Sequence, residues 1–364
     1  MAPATAEVDD FLVDLVDPRL CGRDFITLRD FSKEEVETML DVALRLKEDN
    51  AAHRYHDILP RRTLFMMFFN PSLRTRNSFE AGIFQLGGHG HFLVPADTRV
   101  PTLEGEDVPY RSERIADVAR VLSRMGDAIA VRILGSAVDW EYDKSLRVIE
   151  EFAKYSDKPV INMEDNKYHP CQGMVDVMTL REWYGADLRG RKLAVTWAYS
   201  PSTAKPVAPH HDFMYAASYF GPDIVFAHPK ELRIDPDVEE AIKANIEKYG
   251  GSYEVVDNME DACDSADVVY AKNYVALDLL PPNVKTAQPD EMAKLFEQYK
   301  DWIADERRMG LAEPDAHYMH CLPCERGYEV TDAVLDGKWG NPSVYEEAEN
   351  RLHAQKGVMA CIIP

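Results

Sequence analysis

The chain holds 364 residues, more than one domain usually carries. Of these, 46% are hydrophobic and 10% aromatic, which excludes a small stapled scaffold and wholesale disorder and predicts two domains with sizeable cores. Acidic residues number 63 against 41 basic ones, and the resulting charge of −22 repels nucleic acid and anionic lipid, so an anionic substrate has to meet a local cluster of arginine. No apolar stretch approaches the ~18 residues of a membrane span. The opening, Met1 to Asp10, is acidic and unlike a signal peptide, and the six cysteines are too scattered for a disulfide framework. The expectation is a cytoplasmic protein with reduced thiols.

Ser32-Lys-Glu-Glu35 is a capping box, and Val36, Leu40, Val42, Ala43 and Leu46 follow at helical spacing, predicting a helix over 32–49. Thr63 to Phe69 is a near-continuous apolar run, the mark of a strand covered on both faces. A polar turn, Asn70 to Thr75, feeds a helix over 76–86 that Gly87-Gly88 stops. Residues 95–111, rich in proline and glycine, read as a long unstructured loop of functional kind. Further strands are predicted at 90–94, 128–132, 159–162, 192–197, 223–227, 252–256, 267–271 and 317–320, with helices at 112–124, 172–184, 235–249 and 343–362. This alternation predicts an α/β fold of parallel sheets flanked by helices, with ligands at the carboxyl ends of strands. Tyr184 to Gly190 is the expected boundary between a domain over 1–184, on which the helix over 343–364 packs back, and one over 185–342. Tyr199 to Pro209 reads as a second functional loop.

Two arginines at a helix start oppose the positive end of its dipole, at about 0.3–1 kcal/mol per charge, and so ask for an anion. In Ser72-Leu73-Arg74-Thr75-Arg76, helix N–H groups, hydroxyls and both guanidinium groups make a phosphate cradle. A surface turn whose arginines pair with surplus carboxylates fits this segment, taken alone, equally well. Neither G-x-x-x-x-G-K-[ST] nor G-x-G-x-x-G after a strand occurs, so the usual nucleotide cradles are missing and the anion is small. His169-Pro-Cys-Gln172 opens a helix after a strand, where a neutral imidazole could donate to a carbonyl and an amide could hold an NH₂ group. His320-Cys-Leu-Pro323 closes another strand. Cys321 and Cys324 match C-x-x-C, a redox pair or half a zinc site, but no second half accompanies them and no metal is expected. Arg132 ends a strand and Arg351 sits in the last helix. Each feature alone has a plainer structural reading. Together they suit attack by a neutral amine on a carbonyl whose leaving group is phosphate, with no metal or redox cofactor.

These residues resemble the aspartate/ornithine carbamoyltransferase superfamily: S-x-R-T-R as Ser72 to Arg76, H-P-x-Q as His169 to Gln172, H-C-L-P as His320 to Pro323, and E-x-x-N-R as Glu347 to Arg351. The resemblance implies that Ser72, Leu73, Arg74, Thr75, Arg76 and Arg351 bind carbamoyl phosphate and that Arg132 and His169, with Thr75, polarise its carbonyl. Gln172 and the Cys321–Leu322 backbone would hold its NH₂. It also implies a homotrimer, with residues 95–111 covering a neighbour's phosphate. The ornithine motif D-x-x-x-S-M-G is absent. Tyr270-Ala-Lys272 and Thr196 to Pro201 look instead like the knotted subgroup that includes N-acetylornithine and N-succinylornithine carbamoyltransferases. There Lys272 would pair with the substrate α-carboxylate, Glu164 would contact the substrate backbone, and Glu104 and Ser112 would lie in the loop that sets specificity. Ser112 stands where acetylornithine enzymes carry glutamate, and Glu325 and Glu329 where they carry arginine and lysine. Ser112 suits a larger or anionic acyl group; the two glutamates, read as negative charge near the substrate, push the other way. A less characterised transcarbamylase subgroup with a different amine, a carbamoyl phosphate-binding regulatory protein without turnover, and a redox role for Cys321 and Cys324 are the alternatives.

Overall fold

The computed structural model describes residues 17–364; the acidic opening Met1 to Asp10 lies outside them. Contacts divide the chain into two compact units. The first comprises the described residues up to Ile133, with Ser145–Asp165 and Arg351–Pro364; the second comprises Leu134–Lys144 and Asn166–Asn350. The helix Pro170–Tyr184, placed before the boundary expected at Tyr184 to Gly190, falls in the second unit. Among the described residues no helix is long and apolar enough to cross a membrane.

In the first unit the strands are β1 (Thr63–Phe68), β2 (His89–Leu93), β3 (Val100–Thr102), β4 (Ser112–Arg114), β5 (Ala128–Arg132) and β6 (Val160–Glu164). The main sheet runs β2-β1-β5-β6, all parallel. The apolar run at 63–69 becomes a central strand because Leu64 to Phe68 are buried with a neighbour on each side. Its polar turn opens the helix Arg74–Gln85, two residues earlier than the sequence predicts, which places Arg74, Thr75 and Arg76 in the first turn. No side chain caps Leu73 at the helix start, but Ser72 Oγ accepts the Thr75 N–H at 3.3 Å. The capping box at Ser32 forms as read and starts the helix Lys33–Ala51.

The expectation of an unstructured loop over 95–111 is corrected. Pro95–Asp97 is a 3-10 turn, and β3 pairs in parallel with β4, Val100 opposite Ser112. Three-residue strands carry too little periodicity to be seen in sequence.

The second unit holds β7 (Lys192–Trp197), β8 (Asp223–Ala227), β9 (Ser252–Val256), β10 (Val268–Lys272) and β11 (His317–Met319), in a parallel sheet of order β11-β10-β7-β8-β9. Helices Pro170–Tyr184 and Ala208–Ser218 pack in this unit, the latter buried along its whole length. The loop expected to run to Pro209 therefore ends at Val207: Pro209 sits in the first turn of a helix, where a missing N–H costs nothing.

Candidate active-site residues

Phe68 and Arg132 are register partners at the carboxyl ends of β1 and β5, so Arg132 emerges beside the turn that carries the phosphate motif. Arg132 Nη1 donates to the Pro71 carbonyl at 3.2 Å. Its Nη2 and Nε donate to Glu164 Oε2 at 2.6 and 3.1 Å. A register shift after Val131 skips Met163 and sets Glu164 opposite Arg132, which makes that ion pair. From the last helix, Ser343–Ile362, Arg351 Nη2 donates to Thr75 Oγ1 at 2.6 Å, with both side chains buried. Arg76 lays its guanidinium 3.7 Å over the Phe92 ring and brings Nε within 3.4 Å of Glu80. Ser72, Thr75, Arg132, Glu164 and Arg351 are thus joined by hydrogen bonds around one turn, with Arg74 and Arg76 on the helix that leaves it. Leu73 points out, 71% exposed. Glu104 and Ser112 are not drawn into this group. Glu104 accepts from Arg114 at 3.1 Å, and Ser112 Oγ accepts the Val108 N–H at 2.7 Å, all within the β3–β4 segment.

In the second unit His169 is the N-cap of Pro170–Tyr184 and its backbone N–H donates to Asp212. Gln172, fully buried, donates through Nε2 to Asp176 Oδ1 at 2.7 Å and to Glu347 Oε1 at 3.1 Å. Two carboxylates on the nitrogen fix the amide's orientation, oxygen facing the other way. Glu347 Oε2 accepts the His320 N–H at 2.8 Å, so one carboxylate ties H-P-x-Q to H-C-L-P. His320 Nδ1 accepts the Leu322 N–H at 2.9 Å, which places the ring proton of the neutral tautomer on Nε2. Burial holds this imidazole below its ordinary pKa. Leu322 has φ 51°, a left-handed conformation costly for leucine and held by that bond, and its peptide to Pro323 is cis.

Lys272 ends β10, 5% exposed. The nearby Glu329 is fully buried and accepts from Lys205 Nζ at 2.8 Å, Asn273 N at 2.7 Å and Glu325 N at 2.6 Å. Burial alone would raise its carboxyl pKa, but Lys272, His320 and Lys205 hold it well below the carboxylate range. The expectation that Glu329 presents negative charge to the substrate is therefore corrected: that charge is met inside the protein. Glu325, 43% exposed at its side chain, lies 3.5 Å from Lys205. Lys205 itself is missed by the sequence reading, although the loop that carries it is singled out. A lone lysine in an otherwise uncharged proline-bearing loop was the available signal.

None of the six cysteines is in a disulfide. Burial pushes the Cys321 thiol up to about 11 and raises that of Cys324, so neither is the thiolate that a redox pair requires at neutral pH.

Two family models match the chain: "Aspartate/ornithine carbamoyltransferase, carbamoyl-P binding domain" over residues 23–182 and its "Asp/Orn binding domain" over 209–362. An N-acetylornithine carbamoyltransferase from Xanthomonas campestris is 37% identical, covering 93% of this chain and 97% of the relative. An ornithine carbamoyltransferase from Thermococcus kodakarensis is also 37% identical, over 94% and 97%. Among solved structures, acetylornithine transcarbamylase complexed with acetylcitrulline superposes with TM-score 0.85 at 36% identity, covering 94% of this chain and 99% of that one. A variant of N-acetyl-L-ornithine transcarbamylase complexed with carbamyl phosphate and N-succinyl-L-norvaline gives the same score and identity over 93% and 99%. The expected fold holds: two α/β domains with parallel sheets, knotted in the second.

Proposed function

The chain belongs to the aspartate/ornithine carbamoyltransferase family and is an enzyme of that class, and from this premise we propose that it moves the carbamoyl group of carbamoyl phosphate to the primary amine of an N-acylated, ornithine-like substrate, releasing phosphate. The observation that carries this reading is the phosphate turn. A buried strand delivers S-x-R-T-R to a helix start, and two distant arginines are bonded to that turn, Arg351 through Thr75 and Arg132 through Pro71.

In this reading Ser72, Leu73, Arg74, Thr75, Arg76 and Arg351 bind the phosphate, as charge-assisted donors and helix N–H groups do for a dianion. Carbonyl polarisation falls to Arg132, His169 and the Thr75 hydroxyl, whose donors stabilise the oxygen as it gains charge. The Gln172 amide oxygen and the Cys321 and Leu322 carbonyls accept from the carbamoyl NH₂. On the acceptor side, Lys272 pairs with the α-carboxylate and Glu164 reaches the substrate backbone; Glu104 and Ser112 lie in the loop that selects the acyl group. The amine lone pair forms the new C–N bond, the C–O bond to phosphate breaks, and the nitrogen's proton leaves with the phosphate dianion. Leu73 and Phe84, exposed at 71% and 77% on one helix, support a homotrimer in which neighbouring subunits cover them. We place the protein in the cytoplasm.

The test is an amine panel with carbamoyl phosphate: N-acetylornithine, N-succinylornithine, ornithine, putrescine and diaminopropionate, with phosphate release measured. An N-acylated ornithine is expected to outperform the others at least tenfold. Preference for free ornithine, as the Thermococcus relative's name states for that protein, overturns the acceptor assignment. Carbamoyl phosphate binding without turnover of any amine overturns the reaction.

A further inference from the structure

Within the second unit, three buried side chains make one polar junction. Gln172 and Asp176 lie a turn apart on the helix Pro170–Tyr184, Glu347 comes from the last helix, and all three are at most 1% exposed. An amide nitrogen carries two hydrogens, and Gln172 Nε2 directs them at Asp176 Oδ1, 2.7 Å away, and Glu347 Oε1, 3.1 Å away. The flipped amide would set its oxygen against those same two acceptor oxygens, so one orientation is imposed. Glu347 is not free to follow a flip. Its second oxygen accepts the His320 N–H at 2.8 Å. Its helix neighbours are tied to Pro170–Tyr184 as well: Glu346 Oε2 accepts from Trp183 Nε1 at 3.0 Å, and Asn350 Nδ2 donates to Thr179 Oγ1 at 2.9 Å.

We propose that Glu347, with Asp176, is a positioning residue that makes the donor site select carbamoyl phosphate over acyl phosphates whose carbonyl bears carbon in place of NH₂. The inference deepens the function proposed above and rests on it for Gln172 facing the carbamoyl group. With both nitrogen hydrogens directed inward, what Gln172 offers a ligand is its carbonyl oxygen, which only accepts. A carbamoyl NH₂ supplies a hydrogen to that oxygen; the methyl group of acetyl phosphate, of nearly the same size, supplies none. The same Glu347 carboxyl governs the other acceptors of the NH₂ in that reading. It holds the His320 backbone, and His320 Nδ1 accepts the Leu322 N–H at 2.9 Å, which orders the stretch that carries the Cys321 and Leu322 carbonyls. A glutamine at position 347 has one oxygen and one NH₂ for these two donors. The His320 N–H is backbone and cannot flip, so the oxygen stays on it and the NH₂ turns to Gln172, where it favours the flipped amide.

The experiment measures by calorimetry the affinity of wild type, Glu347→Gln and Asp176→Asn for carbamoyl phosphate and for acetyl phosphate, the probe that lacks an N–H. Wild type is expected to bind carbamoyl phosphate at least about a hundredfold more tightly. In Glu347→Gln that preference should shrink at least tenfold, with acetyl phosphate affinity kept within threefold. A general loss of packing weakens both ligands alike and leaves their ratio in place, so the ratio separates positioning from structure. Asp176→Asn can turn either end of its amide to Gln172 while Glu347 still holds the nitrogen. Its preference should shrink less, about threefold, and it carries the comparison if the Glu347 variant does not fold. A folded Glu347→Gln whose ratio matches wild type, or a wild type that binds the two ligands equally, overturns the proposal and leaves the proposed reaction standing. A wild type that binds neither ligand overturns the reading of the donor site, and the proposal with it.

Discussion

The two units hold their functional residues by different means. In the first, Arg351 and Arg132 are bonded to neutral oxygens of the phosphate turn, the Thr75 hydroxyl and the Pro71 carbonyl, with Arg132 also paired to a buried carboxylate, Glu164, and the turn itself is partly open to solvent. In the second, buried carboxylates do the holding: Glu347 on Gln172 and His320, Asp176 on Gln172, Glu329 on Lys205. The difference teaches how the work divides. In the proposed reading a small dianion is captured by charge, so Thr75 and Pro71 offer Arg351 and Arg132 neutral acceptors that the ligand can supplement. In the same reading the carbamoyl NH₂ is held by geometry, so Gln172 and the His320 backbone are set by buried carboxylates and satisfied hydrogen bonds.

That contrast is most exposed to test at the phosphate turn. Arg76→Ala should lower kcat/KM for carbamoyl phosphate at least a hundredfold, and near-normal turnover would break the charge-capture side outright. Arg351→Ala removes a charged bond worth about 1.5–3 kcal/mol. Affinity for carbamoyl phosphate, measured by calorimetry, should fall roughly ten- to a hundredfold at about 1.4 kcal/mol per decade. A drop in stability with affinity intact would recast Arg351 as structural.

On the carboxylate side, Glu347→Gln loses the charge that accepts the buried His320 N–H and the Gln172 amide. Denaturant melts should show about 1–3 kcal/mol of lost stability. An unchanged midpoint would mean that the second unit is not held by its buried anions.

The pH dependence is common to both units. Burial lowers His210 to about 3 and His211 to about 4 in the second unit. Their unfolded pKa is about 6.5, so the stability that they contribute is full above that pH and is lost as pH falls toward their folded values. His353 in the first unit, lowered to about 3, behaves alike. Denaturation midpoints should therefore be level from pH 7 to 8 and decline below about 6; a midpoint that rises on acidification contradicts neutral burial. The smallest expected effect is at Cys324→Ala. Transfer should stay within twofold, and a larger loss would reopen the thiol chemistry that raised pKa values argue against.

Much of this was legible in sequence wherever near neighbours decide the outcome. Apolar runs marked the central strands, a serine and a glutamate three apart marked a helix start, and S-x-R-T-R stood out as cations where a helix dipole disfavours them. Short elements escaped: β3 and β4 span three residues each and are formed by pairing with each other, which no local pattern records.

What the sequence by itself determined, then, is the order of strands and helices and the chemistry of each motif. What only the tertiary structure decided is which charges meet. Lys205 and Glu329 are 124 residues apart, Gln172 and Glu347 175, and Thr75 and Arg351 276. Such pairs turned Glu329 from a charge facing the substrate into an internal counter-ion, and a register shift in β6 turned Glu164 onto Arg132. The physical reason is that propensity and periodicity act over a few residues, whereas an ion pair is set by how the whole chain closes upon itself.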